Sequence, residues 1–147
     1  MYDDWLANGI VVVATLAAVC LSVLQHYEGL LFTSRRLPSL GGFRRTKMLY
    51  CIGSVLILHV SEIWIFGLML WLLLQWSACG NVGPAGQHPL DLVYLSAVTF
   101  TTMGASDLAP TGPIRFLFGT EALTGFVLIT WSASFTYLEM ERYWRNR

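Results

Sequence analysis

Residues 91–110 read DLVYLSAVTFTTMGASDLAP. The first half is apolar enough for a membrane, and the second half turns to Thr, Gly, Ser, Asp and Pro. Pro89, two residues upstream, suits the first position of a helix, where its missing N–H costs nothing. Asp91 falls in the first turn, where a carboxylate favours the helix dipole. Leu92, Leu95 and Val98 share one helical face, with Thr99 beside them. The pattern predicts a helix of about a dozen residues, well short of the roughly 20 that cross a bilayer core.

A short apolar helix between two long apolar stretches reads as re-entrant. Entering from outside, its C-terminal end near Thr101 points into the membrane. That end carries roughly half a negative charge, so several such ends aimed at one point favour a cation there. The chain must then return through residues 102–107. Non-helical backbone at membrane depth is tolerated only inside protein or along a water-filled path.

The composition agrees with a membrane protein. The chain has 147 residues, 55% hydrophobic and 12% charged, with mean hydropathy +0.57. A soluble domain carries about 25% charged residues. Zero net charge gives no electrostatic basis for a nucleic-acid partner. The odd count of three cysteines favours free thiols. Cys20 and Cys51 read as apolar fillers, and Cys79 stands alone in a loop with a pairing between subunits open to it.

Three stretches are long enough to span: about 5–24, 48–76 and 114–138. Trp5, Tyr27, Tyr50, Trp76 and Tyr137 suit the interfacial belts. Asp3 and Asp4 stand where a signal peptide needs positive charge, so the first span is expected to be retained. The 27–47 loop holds Arg35, Arg36, Arg44, Arg45 and Lys47, and the C-terminal tail holds Arg142, Arg145 and Arg147. Residues 77–113 hold no Lys or Arg. The positive-inside rule then puts the N-terminus and residues 77–113 outside, and the basic loop and C-terminus in the cytoplasm. Four of the loop cations, Arg35, Arg36, Arg44 and Arg45, could also meet anionic lipid head groups. Residues 77–89, SACGNVGPAGQHP, read as a Gly/Pro-rich surface loop.

The pore-loop stretch resembles the corresponding segment of two-span potassium channels. Their pattern places an aromatic and a Ser on the pore helix, then T-x-T-T-V-G-Y-G-D and a nearby Pro. The matches are Tyr94, Ser96, Thr99, Thr101, Thr102, Gly104, Asp107 and Pro110. Arg115, Glu121, Ala122, Leu123 and Gly125 fit the inner-helix pattern R-x5-E-A-L-x-G of prokaryotic members. The resemblance covers about residues 48–138 and implies an all-α homotetramer. Each subunit would have three spans and a re-entrant pore helix and filter between the second and third. It divides the chain into a first helix with its basic loop (1–47), a pore domain (48–138) and a short cytoplasmic tail (139–147). It implies a plasma (inner) membrane channel that carries K⁺, or Na⁺, with no cofactor. The carbonyl oxygens of Thr102, Met103 and Gly104 are the expected ion ligands.

The outer filter departs from the family pattern. Ala105 stands where an aromatic braces the filter, Ser106 where a second Gly belongs, and Met103 where a stiff β-branched Val belongs. A left-handed backbone costs a non-Gly residue roughly 1–2 kcal/mol. The inner half is intact, so inner cation sites are expected to survive with weakened K⁺ over Na⁺ discrimination. The alternative is a collapsed outer filter and a silent pore. The link around 111–113 is one residue shorter than the family form. Asp107 reads equally as a ring of negative charge at the mouth and as a carboxylate holding the turn.

Ionisable groups inside spans are rare and are functional hypotheses by default. Glu62 lies mid-span with His59 one turn earlier, readable as a pH-sensing or gating pair or as a hydrogen-bonded pair at a helix contact. Glu121 reads as a filter support and Gly125 as a bend or close-packing point. No span carries an Arg repeat, so no voltage sensor is expected, and the short tail implies no ligand-binding domain. A haem protein using His26 and His59 is a second reading, weakened by an expected depth difference of about 10 Å between them. A non-conducting subunit or scaffold with the pore fold is a third. No nucleophile arrangement, metal cluster or phosphate loop points to an enzyme.

Overall fold

The structure, a computed structural model, describes residues 4–39, 41, 43–83, 88–104 and 109–145. Among these, every regular element is helical: α1 (Trp5–Arg36), α2 (Arg44–Leu74), a 3-10 turn (Ser77–Cys79), α3 (Pro89–Phe100) and α4 (Arg115–Arg145). Three of the helices, α1, α2 and α4, are long and apolar enough to cross a membrane.

Local chemistry sets the ends. Asp4 caps α1, its carboxylate accepting from the Leu6 and Ala7 amides at 3.0 and 3.2 Å. Arg35 and Arg36 close its last turn, where cations suit the helix dipole. The helix therefore runs 12 residues past the span read from the sequence. Only Glu28 and the terminal arginines bring charge to residues 25–36, and nothing in that stretch breaks a helix. α2 likewise begins earlier than expected, at Arg44.

α1 presents one stripe to the protein: Ala7, Val11, Thr15, Ala18, Ser22, His26, Leu30 and Thr33 are buried. The spacing is three or four residues throughout, and most members are small. Small interfacial residues let membrane helices approach closely. The opposite face, with Val13, Leu16 and Leu24, is exposed, as a lipid-facing surface would be. Cys20 lies on that exposed side and Cys51 is buried.

α3 forms where it was expected and is held from three sides. His88 caps it, Nδ1 accepting from the Leu90 amide at 3.2 Å. Leu92, Leu95, Val98 and Phe100 join Phe66 and Leu70 of α2 and Leu117 and Leu128 of α4 in one buried core. The short helix thus sits between two spans with its C-terminal end among them.

Residues 77–83, ahead of α3, are packed against the protein and do not form a plain surface loop; residues 84–87 of the Gly/Pro-rich stretch lie outside the described residues. Cys79 and Val82 are buried. Asn81 and Thr111 exchange backbone hydrogen bonds at 3.1 and 2.8 Å, and the Ile114 amide donates to the Cys79 carbonyl at 2.9 Å. The two connections flanking α3 are thereby clasped to each other. Burial, with the Asp4 carboxylate nearby, raises the Cys79 thiol above its ordinary value. The thiolate is the reactive form, so Cys79 should alkylate at least about tenfold more slowly at pH 7.5 in the native protein than after SDS denaturation. Mass mapping of the alkylated peptide reads this directly; equal rates would contradict the burial.

Candidate ion pathway and its supports

The C-terminal end of α3 turns sharply into the expected filter. The Thr101 amide donates to Ala97, that of Thr102 to Thr99, and those of Met103 and Gly104 to Val98. Within this turn Thr102 has φ 59° and Gly104 φ 65°. A Gly adopts this geometry freely. Thr102 is β-branched, for which a positive φ is a true outlier. Such strain persists only where surrounding structure over-determines it, and it clusters at ligand clamps. Residues 101–104 are exposed in the single chain. Ala105, Ser106 and Asp107 lie outside the described residues.

Two contacts fix the helix behind this strand. The buried Ser96 hydroxyl stands between the Ile63 carbonyl oxygen of α2, 3.0 Å away, and Oε1 of Glu121 on α4, with which it also hydrogen-bonds. One hydroxyl on α3 thereby ties both flanking spans. Losing it strands a buried carboxyl oxygen, at about 1–3 kcal/mol. Ser96→Ala should therefore lower the thermal midpoint of the detergent-solubilised protein, and Glu121→Gln, which keeps an acceptor, should lower it less. Equal midpoints for S96A and wild type would contradict this role.

The second contact is at Gly125. A Cβ built there would land on the Phe100 carbonyl oxygen. Gly125 is thus the point where α4 passes against the backbone of the last residue of α3, immediately before Thr101. Close packing describes it.

His59 and Glu62 meet, and a third residue joins them. His59 Nδ1 is 2.9 Å from Oε2 of Glu62, while His26 Nδ1 of α1 is 2.7 Å from Oε1. The two imidazoles stack with centroids 5.4 Å apart. The His26 Nε2 lies 3.3 Å from the Ser132 hydroxyl of α4. Beside the cluster, Gln25 hydrogen-bonds Ser61. The expected depth difference between the histidines is thus overturned: α1 continues past His26 and lies against α2, so the two rings are level. His26 and Glu62 are fully buried, and the His59 ring is tilted 56° against that of Phe100, with centroids 5.8 Å apart.

A family model described as "ion channel" matches residues 48–140. The chain belongs to the ion channel pore family. Searches of curated proteins and of solved structures return no match. With its three spanning helices, the channel is an integral membrane protein.

The matched region holds most of α2, all of α3 and most of α4, and excludes α1. His26 therefore reaches the pore-domain residues Glu62 and Ser132 from a helix outside the match. His59 and Glu62 are paired by their spacing on one helix, whereas His26 stands 33 residues before His59 on another. The signal that could have placed it is the buried stripe of α1, on which His26 follows Ser22 by four residues and precedes Leu30 by four.

Proposed function

We infer that the channel is a homotetramer that conducts monovalent cations through a potassium-type filter with weakened discrimination of K⁺ over Na⁺. One observation carries this reading. Thr102 and Gly104, alternate residues at the inward end of a short helix between two spans, both take left-handed backbone. Alternating handedness is what aims successive carbonyl oxygens to one side, and a ring of such carbonyls replaces the hydration shell of K⁺. One chain supplies a single strand of that ring, so four copies complete it. Thr102, Met103 and Gly104 are the cation ligands in this reading.

Past Gly104, the side chains argue for fewer rigid sites. Ala105 removes the bulk of a bracing aromatic, and Ser106 pays for any left-handed conformation that a Gly takes freely. Asp107 adds negative charge at the mouth. The pore domain, residues 48–138, carries conduction, and the 1–47 segment adds a helix against it. The positive-inside rule orients the channel with N-terminus outside and C-terminus in the cytoplasm of the plasma (inner) membrane. Arg35, Arg36, Arg44 and Arg45 then face anionic head groups.

Purified channel in proteoliposomes tests the reading. Under bi-ionic conditions the K⁺ to Na⁺ permeability ratio should stay within about tenfold, less than about 1.4 kcal/mol of discrimination. A much larger ratio would contradict weakened selectivity, and no flux of either ion would favour a silent scaffold.

A further inference from the structure

The His26–Glu62–His59 cluster is more than conduction requires. It lies behind the filter helix, it includes a residue from outside the pore domain, and its donor atoms converge. One ligand atom from each of the three residues lies within 4.8 Å of the others. We propose that His26, His59 and Glu62 form a binding site for a divalent transition-metal ion of the zinc class, which clasps α1 to the pore domain.

The donor set fits that ion. Two imidazole nitrogens and one carboxylate oxygen are a known three-ligand set for Zn²⁺, leaving a fourth position for water. Imidazole with carboxylate also excludes the soft, thiolate-preferring ions. Ligands about 2.0–2.1 Å from a tetrahedral ion stand roughly 3.4 Å apart. The Glu62 oxygens already stand 2.7 and 2.9 Å from the two Nδ1 atoms. Gathering the widest pair, up to 4.8 Å apart, therefore takes closure of about 1.4 Å, within reach of side-chain rotation.

The surroundings fit as well. Binding at Nδ1 takes each neutral imidazole in its other tautomer, so the proton now shared between Nδ1 and Glu62 is exchanged for one on Nε2 with no net loss from the ring. For His26 the Nε2–H then donates to the Ser132 hydroxyl, already 3.3 Å away. An acceptor on the ring nitrogen away from the metal fixes the orientation of a metal-bound histidine. An open, mostly apolar groove of about 380 Å³ lined by His59, Val55, Ile129 and Ser132 adjoins the cluster. It gives room for the fourth, water ligand. The Trp131 ring, 5.3 Å from that of His26, closes one side with apolar surface.

The ion would hold α1 against α2 through two helices' side chains at once. Its ligand His59 touches Phe100, the residue that leads into Thr101. Occupancy is thereby placed one side chain from the filter strand.

The test uses the full-length detergent-purified oligomer, stripped with chelator, incubated with ZnCl₂ and desalted. Retained zinc should be about one ion per chain. It should fall at least tenfold in His26→Ala and in Glu62→Gln, and stay unchanged in His88→Ala, which removes the only histidine outside the cluster. Wild type retaining no zinc, or a variant of wild-type elution volume retaining all of it, would overturn the site. Should the variants not assemble, zinc-edge X-ray absorption of the loaded wild type decides: imidazole scattering from two histidines supports the site, and a shell without imidazole overturns it.

Discussion

Replacing Gly125 with alanine should abolish conduction and, since the displaced Thr101 begins the strand proposed to meet its copies, break the proposed homotetramer. A Cβ at this position would fall on the Phe100 carbonyl oxygen, and the next closest atoms are the Phe100 carbonyl carbon and ring. The first two obstacles are backbone, so no rotamer change relieves the clash. Either α3 moves away from α4 or α4 bends. Both displace Phe100, and Thr101 follows it directly. Over-packing of a side-chain core costs about 1–3 kcal/mol, and a collision with backbone in a packed interior exceeds that because the interior deforms little. The control is Gly53→Ala on α2, where a Cβ meets nothing within 4 Å. There the substitution should be neutral or stabilising by about 0.5–1 kcal/mol through helix propensity. Flux from proteoliposomes should fall at least tenfold in G125A, with loss of the oligomeric elution peak, and stay at wild-type level in G53A. Wild-type flux and assembly in G125A would remove the close approach from the account.

Restoring the outer filter should raise selectivity. The double substitution Ala105→Tyr with Ser106→Gly returns an aromatic brace and a residue free to take left-handed backbone. A stiffer ring of carbonyls discriminates ions better by field and fit. The K⁺ to Na⁺ permeability ratio should rise at least about tenfold, the equivalent of about 1.4 kcal/mol. Ser106→Gly alone should give part of the gain, because a Gly takes left-handed backbone freely but does not fill the brace position. Met103→Val, which restores χ1 stiffness, should add a smaller increment. Bi-ionic reversal potentials measure all of these. An unchanged ratio in the double variant would place the limit on selectivity elsewhere in the pore.

The short helix was legible because its signals are local. Pro89 and Asp91 mark a helix start, and the apolar face of Leu92, Leu95 and Val98 marks its buried side; the helix spans Pro89–Phe100. The three spans were legible in number from hydropathy, and not in length. A length limit drawn from bilayer thickness stops α1 at residue 24, while its backbone hydrogen bonds continue to Arg36. That error separated His26 from His59. Whether two helices bring given residues level depends on their relative register, which no local pattern encodes. The periodic stripe of α1 does encode that His26 faces protein, and a stripe reading would have paired it with the polar residues of α2. The role of Ser96 as a tie between Ile63 and Glu121 was likewise invisible, because it depends on two long-range approaches to one hydroxyl. The bridge between Asn81 and Thr111 joins residues 30 apart across the pore loop, and Gly/Pro-rich composition alone reads only as a turn.

Four strands from residues 101–104, one per copy of the chain, should surround a line of cation sites. Rubidium substitutes for K⁺ and scatters anomalously, so crystals of the purified oligomer grown in RbCl test it in one map. The map should show a fourfold axis with anomalous peaks ringed by the carbonyl oxygens of Thr102, Met103 and Gly104, and weaker or absent peaks beyond Gly104. An oligomer without fourfold symmetry, or a fourfold axis with no peak beside these carbonyls, would contradict it.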